Sequence, residues 1–183
     1  MRSANIFINQ SFKSLSNVGS VWPSSGRLAR RMVKGVKGPV VLELGPGTGI
    51  FTKEILKKLP PKGKLICIEN NAAFAKYLRK QIKDKRFKLC VGDALMLKKF
   101  LAKNGITKVD CVVSGLPLGN FKKETKQRML KEIAACLSDK GLFVQFEYLM
   151  AAIKDIKKIF PSVSISFELF NIPPAFVMRC QKK

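Results

Sequence analysis

VVLELGPGTGIFTKEIL occupies residues 40–56. Its first half is an apolar, β-branched run of the kind that fills a strand buried on both faces. Its second half has an apolar 3–4 spacing typical of a helix. Between them Gly45-Pro46-Gly47-Thr48-Gly49 leaves no room for a long connection. A strand that turns directly into a helix through glycines is the opening unit of an α/β sheet, and the glycines let backbone approach a ligand closely. The spacing is G-x-G-x-G, so it departs from the dinucleotide pattern G-x-G-x-x-G, and no Gly-Lys-Ser/Thr of a P-loop follows.

Outward from this unit the pattern repeats. Apolar runs at 39–44, 64–69, 87–91, 109–114 and 142–148 read as strands. Helical patterns fall near 50–59, 71–83, 94–103, 122–137 and 150–159. Such alternation predicts a parallel sheet covered on both faces. The end differs: 162–170 and 174–180 are separated only by a short turn, which predicts an antiparallel hairpin. The expected fold is therefore α/β, a doubly wound, mostly parallel, seven-stranded Rossmann-like sheet closed by an antiparallel strand.

At 183 residues the chain suits one domain with a substantial core. It carries 35 Lys+Arg against 12 Asp+Glu, a formal charge of +23. That imbalance predicts a polyanionic partner, either nucleic acid or an anionic membrane face. Histidine is absent, which removes imidazole bases, Ser-His triads and most zinc sites; no metal is expected. The five cysteines are far apart and most fall in apolar runs, as expected of reduced thiols in a cytosolic protein. No window approaches the ~20 apolar residues of a membrane span, and MRSANIFINQSFK lacks a signal-peptide core. These features predict a cytoplasmic protein, soluble or attached peripherally to the inner face of the membrane.

Two segments precede the first strand, and the expected division is residues 1–23, then a domain over 24–183. In residues 2–18, Phe7, Ile8, Phe12, Leu15 and Val18 share one side of a helix. The segment either packs on the core or dips its apolar face, with Phe7 and Phe12, into lipid. Ser24-Ser25 supplies an N-cap for a helix through Lys34. Along it Arg27, Arg30, Arg31 and Lys34 form one cationic stripe opposite Leu28, Met32 and Val33. A solvated face and an anion-binding face are both compatible with that stripe.

Acidic residues close successive strands: Glu43, Glu69 and, after the third strand, Asp93. In a doubly wound sheet these ends share one crevice. There Glu69 suits a ribose diol, and Asp93 with the backbone of Ala94 suits an adenine amino group. In order and one βα unit apart, these residues and the glycine loop resemble the class I S-adenosylmethionine-dependent methyltransferases over about residues 39–180. The resemblance implies S-adenosylmethionine as cofactor. Gly45, Gly47, Gly49 and Ser114 would lie along its methionine part, and Glu43 would orient the loop or its amino group. Glu69 and Asn70 would take the ribose, and Asp93 and Ala94 the adenine.

The fourth strand ends in DCVVSGLPLGNF, residues 110–121, with no acid, base or thiol after Ser114. Amine-directed relatives often carry Asn/Asp-Pro-Pro-Tyr here, the aromatic stacking on a flipped base. Here Gly115-Leu116-Pro117-Leu118 stands in its place, which disfavours an rRNA adenine enzyme despite the positive charge. NVGSVWPSSGRLARRM, VVLELGPGTGIFT, VVSGLPLGNF, LFVQFEY and NIPPAFVMRC together are similar to bacterial phosphatidylethanolamine N-methyltransferases, from about Phe7 to the C-terminus. Trp22 and Gly115 depart from that pattern. The likeness implies a phosphatidylethanolamine substrate, N-methylated towards phosphatidylcholine at an anionic membrane. Carbonyls of Ser114, Gly115 and Leu116 would hold the amine, Tyr148 would complete the pocket, and Arg30 or Arg31 would meet the lipid phosphate. The alternatives are an RNA N-methyltransferase and a cofactor-binding module without activity.

Overall fold

A computed structural model describes residues 25–182. Phe7, Phe12, Trp22 and Ser24, and with them the amphipathic segment 1–23, lie outside the described residues. The elements are α1 (Gly26–Met32), β1 (Val40–Leu44), α2 (Ile50–Lys58), β2 (Lys64–Glu69), α3 (Ala72–Gln81), β3 (Phe87–Val91), α4 (Leu97–Lys103), β4 (Val109–Ser114), α5 (Lys123–Cys136), β5 (Leu137–Glu147), α6 (Ile153–Ile159), β6 (Ser162–Glu168) and β7 (Ala175–Gln181). One sheet contains all seven strands in the order β3-β2-β1-β4-β5-β7-β6. Only β7 runs antiparallel, pairing with β5 and β6, so the expected doubly wound sheet with a C-terminal hairpin is what forms.

Strand alternation divides the core between two faces. Leu42, Leu44, Ile66, Ile68, Val112, Phe143 and Met178 pack against α4, α5 and α6 through Leu101, Met129, Ile133 and Ile156. Val41, Leu65, Cys67, Cys111, Val113, Val144 and Val177 pack against α1, α2 and α3 through Leu28, Met32, Phe51, Ile55 and Leu78. The strands carry apolar residues on both faces because both are covered, so a continuous run such as Cys111-Val112-Val113 is required rather than an alternating one.

Several boundaries differ from the sequence reading. The expected helix over 94–103 begins as a 3-10 turn, Ala94–Met96, because the Asp93 carboxylate caps the Leu95 N–H at 2.9 Å. The strand expected over 142–148 starts at Leu137 and shifts register opposite Val109 and Cys111. There Ser138-Asp139-Lys140-Gly141 contributes turn-forming residues that cannot continue the ladder smoothly. Strand β6 stops at Glu168 rather than continuing to 170, since that carboxylate turns back to accept from the Phe170 N–H.

Ser25 caps α1, its Oγ accepting from the Leu28 N–H at 3.1 Å. Leu28, Met32 and Val33 are buried beneath the helix, as their spacing predicts. The cationic stripe is not uniform. Arg27, Arg30 and Lys34 are exposed, whereas Arg31 is half-buried and its Nε donates to Glu168 Oε2 at 2.7 Å. Glu168, on a strand 137 residues away, therefore withdraws Arg31 from a general anion-facing role, which corrects the single-stripe expectation. Arg179 reinforces the join by donating from Nε to the Lys34 carbonyl at 3.0 Å. Helix α1 is thus fastened to the hairpin, not merely laid over the sheet.

Among the described residues, no helix is long and apolar enough to cross a membrane. All five cysteines are free thiols, four of them buried. Burial pushes the Cys111, Cys136 and Cys180 thiols up to about 12, so they are packing residues without thiolate chemistry.

Candidate active site

Strand order reverses between β1 and β4, and their last residues lie side by side, Leu44 opposite Ser114 and also opposite Ile68 of β2. This is the crevice position of an open α/β sheet. A cavity opens here, lined by Gly45, Ile68, Glu69, Asn70, Gly92, Ala94, Leu116, Phe121 and Met129.

The β1–α2 and β4–α5 loops touch backbone to backbone. The Gly115 N–H donates to the Leu44 carbonyl at 2.8 Å. A Cβ on Gly115 would lie 2.7 Å from the Gly45 carbonyl oxygen, so only glycine fits without moving main chain. Gly45 has φ +68, and a Cβ there would lie 2.9 Å from Leu116 Cδ2. Glycine at position 115 therefore has a local reason: the two loops are in direct contact here.

Glu69 closes β2 and is buried, yet its carboxylate is held at the cavity. Oε2 accepts from the Gly47 N–H at 3.0 Å and Oε1 from the Asn71 N–H at 2.8 Å. Each oxygen keeps a further acceptor direction. Desolvation raises its pKa, opposed by those backbone donors. Asn70 and Ala94 line the cavity. Asp93 stands between the lining residues Gly92 and Ala94, with one carboxylate oxygen spent on the 3-10 cap.

Glu43 does not reach the cavity. It is buried on the α2 side, where Oε2 accepts from Thr52 Oγ1 at 2.7 Å and from Cys67 Sγ at 3.1 Å, while Oε1 has no partner. Of the two roles expected, this geometry serves loop orientation, through Thr52 in the first turn of α2. Burial pushes its carboxyl up to about 7.

The carbonyl of Leu116 is already engaged, accepting from Gln145 Nε2 at 2.8 Å and from the Leu118 N–H at 2.9 Å. This corrects the expectation that it holds an amine, since both its lone pairs are used. Ser114 is buried, its Oγ accepting from the Leu116 N–H at 3.2 Å. Tyr148 is half-buried outside the cavity lining. Its ring meets Phe146 edge-on at 5.6 Å, Phe146 meets Phe51 in the same way, and its hydroxyl interacts with the Asn171 side chain.

Two residues of β5 escaped the sequence reading. Gln145 and Glu147 share the strand face of Phe143, buried behind the β4 loop. Gln145 holds Leu116 from beneath, and Glu147 Oε1 accepts from the Gly119 N–H at 2.8 Å. The available signal was a pair of polar residues two apart in an otherwise apolar run, LFVQFEY.

Burial also pushes the Glu147 carboxyl up to about 7. Glu43 and Glu147 thus bind protons more tightly folded than unfolded, where their value is near 4.5. Their penalty on stability is absent below that unfolded value, grows as pH rises to about 7 and is constant above. Asp84 and Glu168 act oppositely. Arg86 holds the Asp84 carboxyl down to about 2, and Arg31 lowers that of Glu168, so their stabilisation is lost only in stronger acid. The urea midpoint is expected to peak near pH 5 and fall towards pH 7, with a shallower fall in Glu43→Gln; a midpoint that rises over that interval would contradict the burial account.

Residues 41–141 match the family model described as a methyltransferase domain. Over 99% of this chain and 97% of the relative, the sequence is 32% identical to an ornithine lipid N-methyltransferase of Singulisphaera acidiphila. The chain belongs to the class I S-adenosylmethionine-dependent methyltransferases. Among solved methyltransferase structures, the O-methyltransferase TomG of Streptomyces achromogenes, in complex with the cofactor, superposes with a TM-score of 0.66 at 14% identity, covering 97% of this chain and 90% of TomG. Precorrin-6y C5,15-methyltransferase of Geobacter metallireducens gives 0.66 at 12% identity, covering 86% and 87%. These likenesses establish the fold. The methyltransferase uses S-adenosylmethionine, and its residues fit that group: a backbone cradle that a Cβ would fill at Gly45, a buried carboxylate at Glu69, and apolar walls from Leu116, Phe121 and Met129.

Proposed function

We propose that this methyltransferase N-methylates the primary amine of a membrane-lipid headgroup, phosphatidylethanolamine or an ornithine lipid, at the bilayer surface. The observation that carries the reading is the end of β4. Leu118, where a base-stacking aromatic would stand, is fully buried and offers no face to a nucleobase. The full-length likeness to a lipid N-methyltransferase supports the same substrate class.

The cofactor supplies an electrophilic methyl, so the protein needs no strong acid or nucleophile of its own. Its task is to bind, align and dry the neutral amine. With the Leu116 carbonyl engaged and Ser114 fully buried in the β4–β5 ladder, which corrects the expectation that its carbonyl holds the amine, that of Gly115 remains to accept amine hydrogens and aim the lone pair. Glu69 and Asn70 hold the ribose, Asp93 and Ala94 the adenine, and Gly45, Gly47 and Gly49 face the methionine part. Tyr148 stands at the neighbouring strand end, where its ring can contact a methylated ammonium. Both candidate headgroups present an anion beside the amine, a phosphodiester or a carboxylate. Arg30 and Lys34, exposed on α1, match either. Residues 1–23 add an amphipathic, membrane-interacting segment to this attachment, and the enzyme is peripheral on the cytoplasmic face.

Labelled S-adenosylmethionine supplied with phosphatidylethanolamine vesicles, ornithine-lipid vesicles and total RNA in separate tubes tests this reading. Label is expected in at least one lipid extract and not in RNA. Label in RNA alone would replace the lipid assignment.

A further inference from the structure

Several of the most exposed large apolar side chains lie on two neighbouring turns. Leu169, Phe170 and Ile172, in the β6–β7 turn, are 61%, 69% and 70% exposed, and Leu149, just after β5, is 75% exposed. Side chains of this size gathered on one rim mark an interaction surface. They are held on a fixed mount. Asn171, between them, is buried; its Oδ1 accepts from the Ser25 N–H at 2.9 Å and its Nδ2 donates to the Pro173 carbonyl at 2.7 Å. Glu168 ties the other end of the turn, accepting from the Phe170 N–H and from Arg31. The buried polar residues face inward, so the apolar ones project outward.

The rim is also cationic. The Arg27 guanidinium sits 4.6 Å from the centre of the Phe170 ring, and Arg30 is exposed one turn further along α1. Apolar side chains beside arginines match the interfacial zone of an anionic bilayer, where chains enter the acyl boundary and cations meet headgroups. Nucleic acid would match the arginines and Phe170, but the aliphatic Leu149, Leu169 and Ile172 provide no stacking surface. Glu147 pairs with Phe176 at the start of β7, and Ser114 with Gln145, so the rim adjoins the end of β5 next to the β4 loop.

We propose that Leu149, Leu169, Phe170 and Ile172, with Arg27 and Arg30, form the surface by which the enzyme inserts into an anionic lipid bilayer, setting the reaction end of the sheet against the headgroups. This rests on the lipid-headgroup reading above. The attachment lies in the folded domain and is additional to residues 1–23.

Trp22 is the single tryptophan, so Phe170→Trp in a Trp22→Phe background places one fluorophore on the rim. With phosphatidylglycerol vesicles brominated in the upper acyl chain, its emission is expected to shift blue and be quenched. An unquenched fluorophore would overturn the insertion, leaving the rim to another protein surface or to residues 1–24. As a second measurement, Leu169→Ser/Phe170→Ser/Ile172→Ser in the full chain is expected to weaken partitioning to those vesicles by ~10²-fold. Its methylation of a short-chain, monomeric phosphatidylethanolamine or ornithine lipid should stay within about twofold, because none of the three side chains lines the cavity and a monomer offers no acyl interface for their area to enter. Unchanged partitioning would also overturn the proposal. If the unsubstituted enzyme methylates neither monomeric lipid while the rim is still quenched, the headgroup reading fails and the insertion stands.

Discussion

Gly115→Ala is expected to abolish most methyl transfer while leaving the chain folded. The added Cβ would meet the Gly45 carbonyl oxygen at 2.7 Å, and main chain on both sides prevents simple side-chain relief. Over-packing of this kind costs about 1–3 kcal/mol of stability, which a core this extensive tolerates. The larger effect is on geometry, because the contact joins the glycine loop to the loop that, in the proposed function, presents the amine. A displacement of about 1 Å between reacting groups costs ~10²-fold in rate. Single-turnover methyl transfer should fall by that order, with a smaller change in the urea midpoint. Equal losses of activity and folded fraction would instead make Gly115 a structural residue only.

Glu69→Ala is expected to raise the dissociation constant for S-adenosylmethionine by ~10²-fold or more. The carboxylate accepts from Gly47 and Asn71 N–H groups and, in the proposed role, from both ribose hydroxyls. Hydrogen bonds to a charged group contribute about 1.5–3 kcal/mol each, and loss of the bond from Gly47 also loosens the glycine loop. Titration calorimetry checks the value. Glu69→Gln should recover part of it, since one amide oxygen still accepts. Wild-type affinity in Glu69→Ala would remove this residue from the cofactor site.

What the chain order reveals and what it hides divide along a physical line. The glycine loop, the two-sided burial of β4 and the closing hairpin are visible because each depends on residues adjacent in sequence. Interactions that cross the sheet are not. In sequence Arg31 belongs to a cationic stripe and is one of two candidates for the lipid phosphate; its partner Glu168 lies on a distant strand. The sequence leaves the Leu116 carbonyl available, whereas Gln145, 29 residues on, donates to it. Glu43 is left either to orient the loop or to meet the cofactor's amino group, and the direction of its strand face points it to Thr52. The apolar rim was hidden in the same way. Leu169, Phe170 and Ile172 read as the end of one strand and a turn, and their exposure follows from Asn171 and Glu168 facing inward instead.

The most direct measurement of the central claim is tandem mass spectrometry of the lipid product. Purified enzyme is incubated with S-adenosylmethionine and vesicles containing phosphatidylethanolamine and an ornithine lipid together. The account predicts a headgroup fragment carrying one or more methyl groups on its amine nitrogen. Methyl groups found only on oxygen or carbon of the lipid, or no methylated lipid from an enzyme that binds the cofactor, would contradict it.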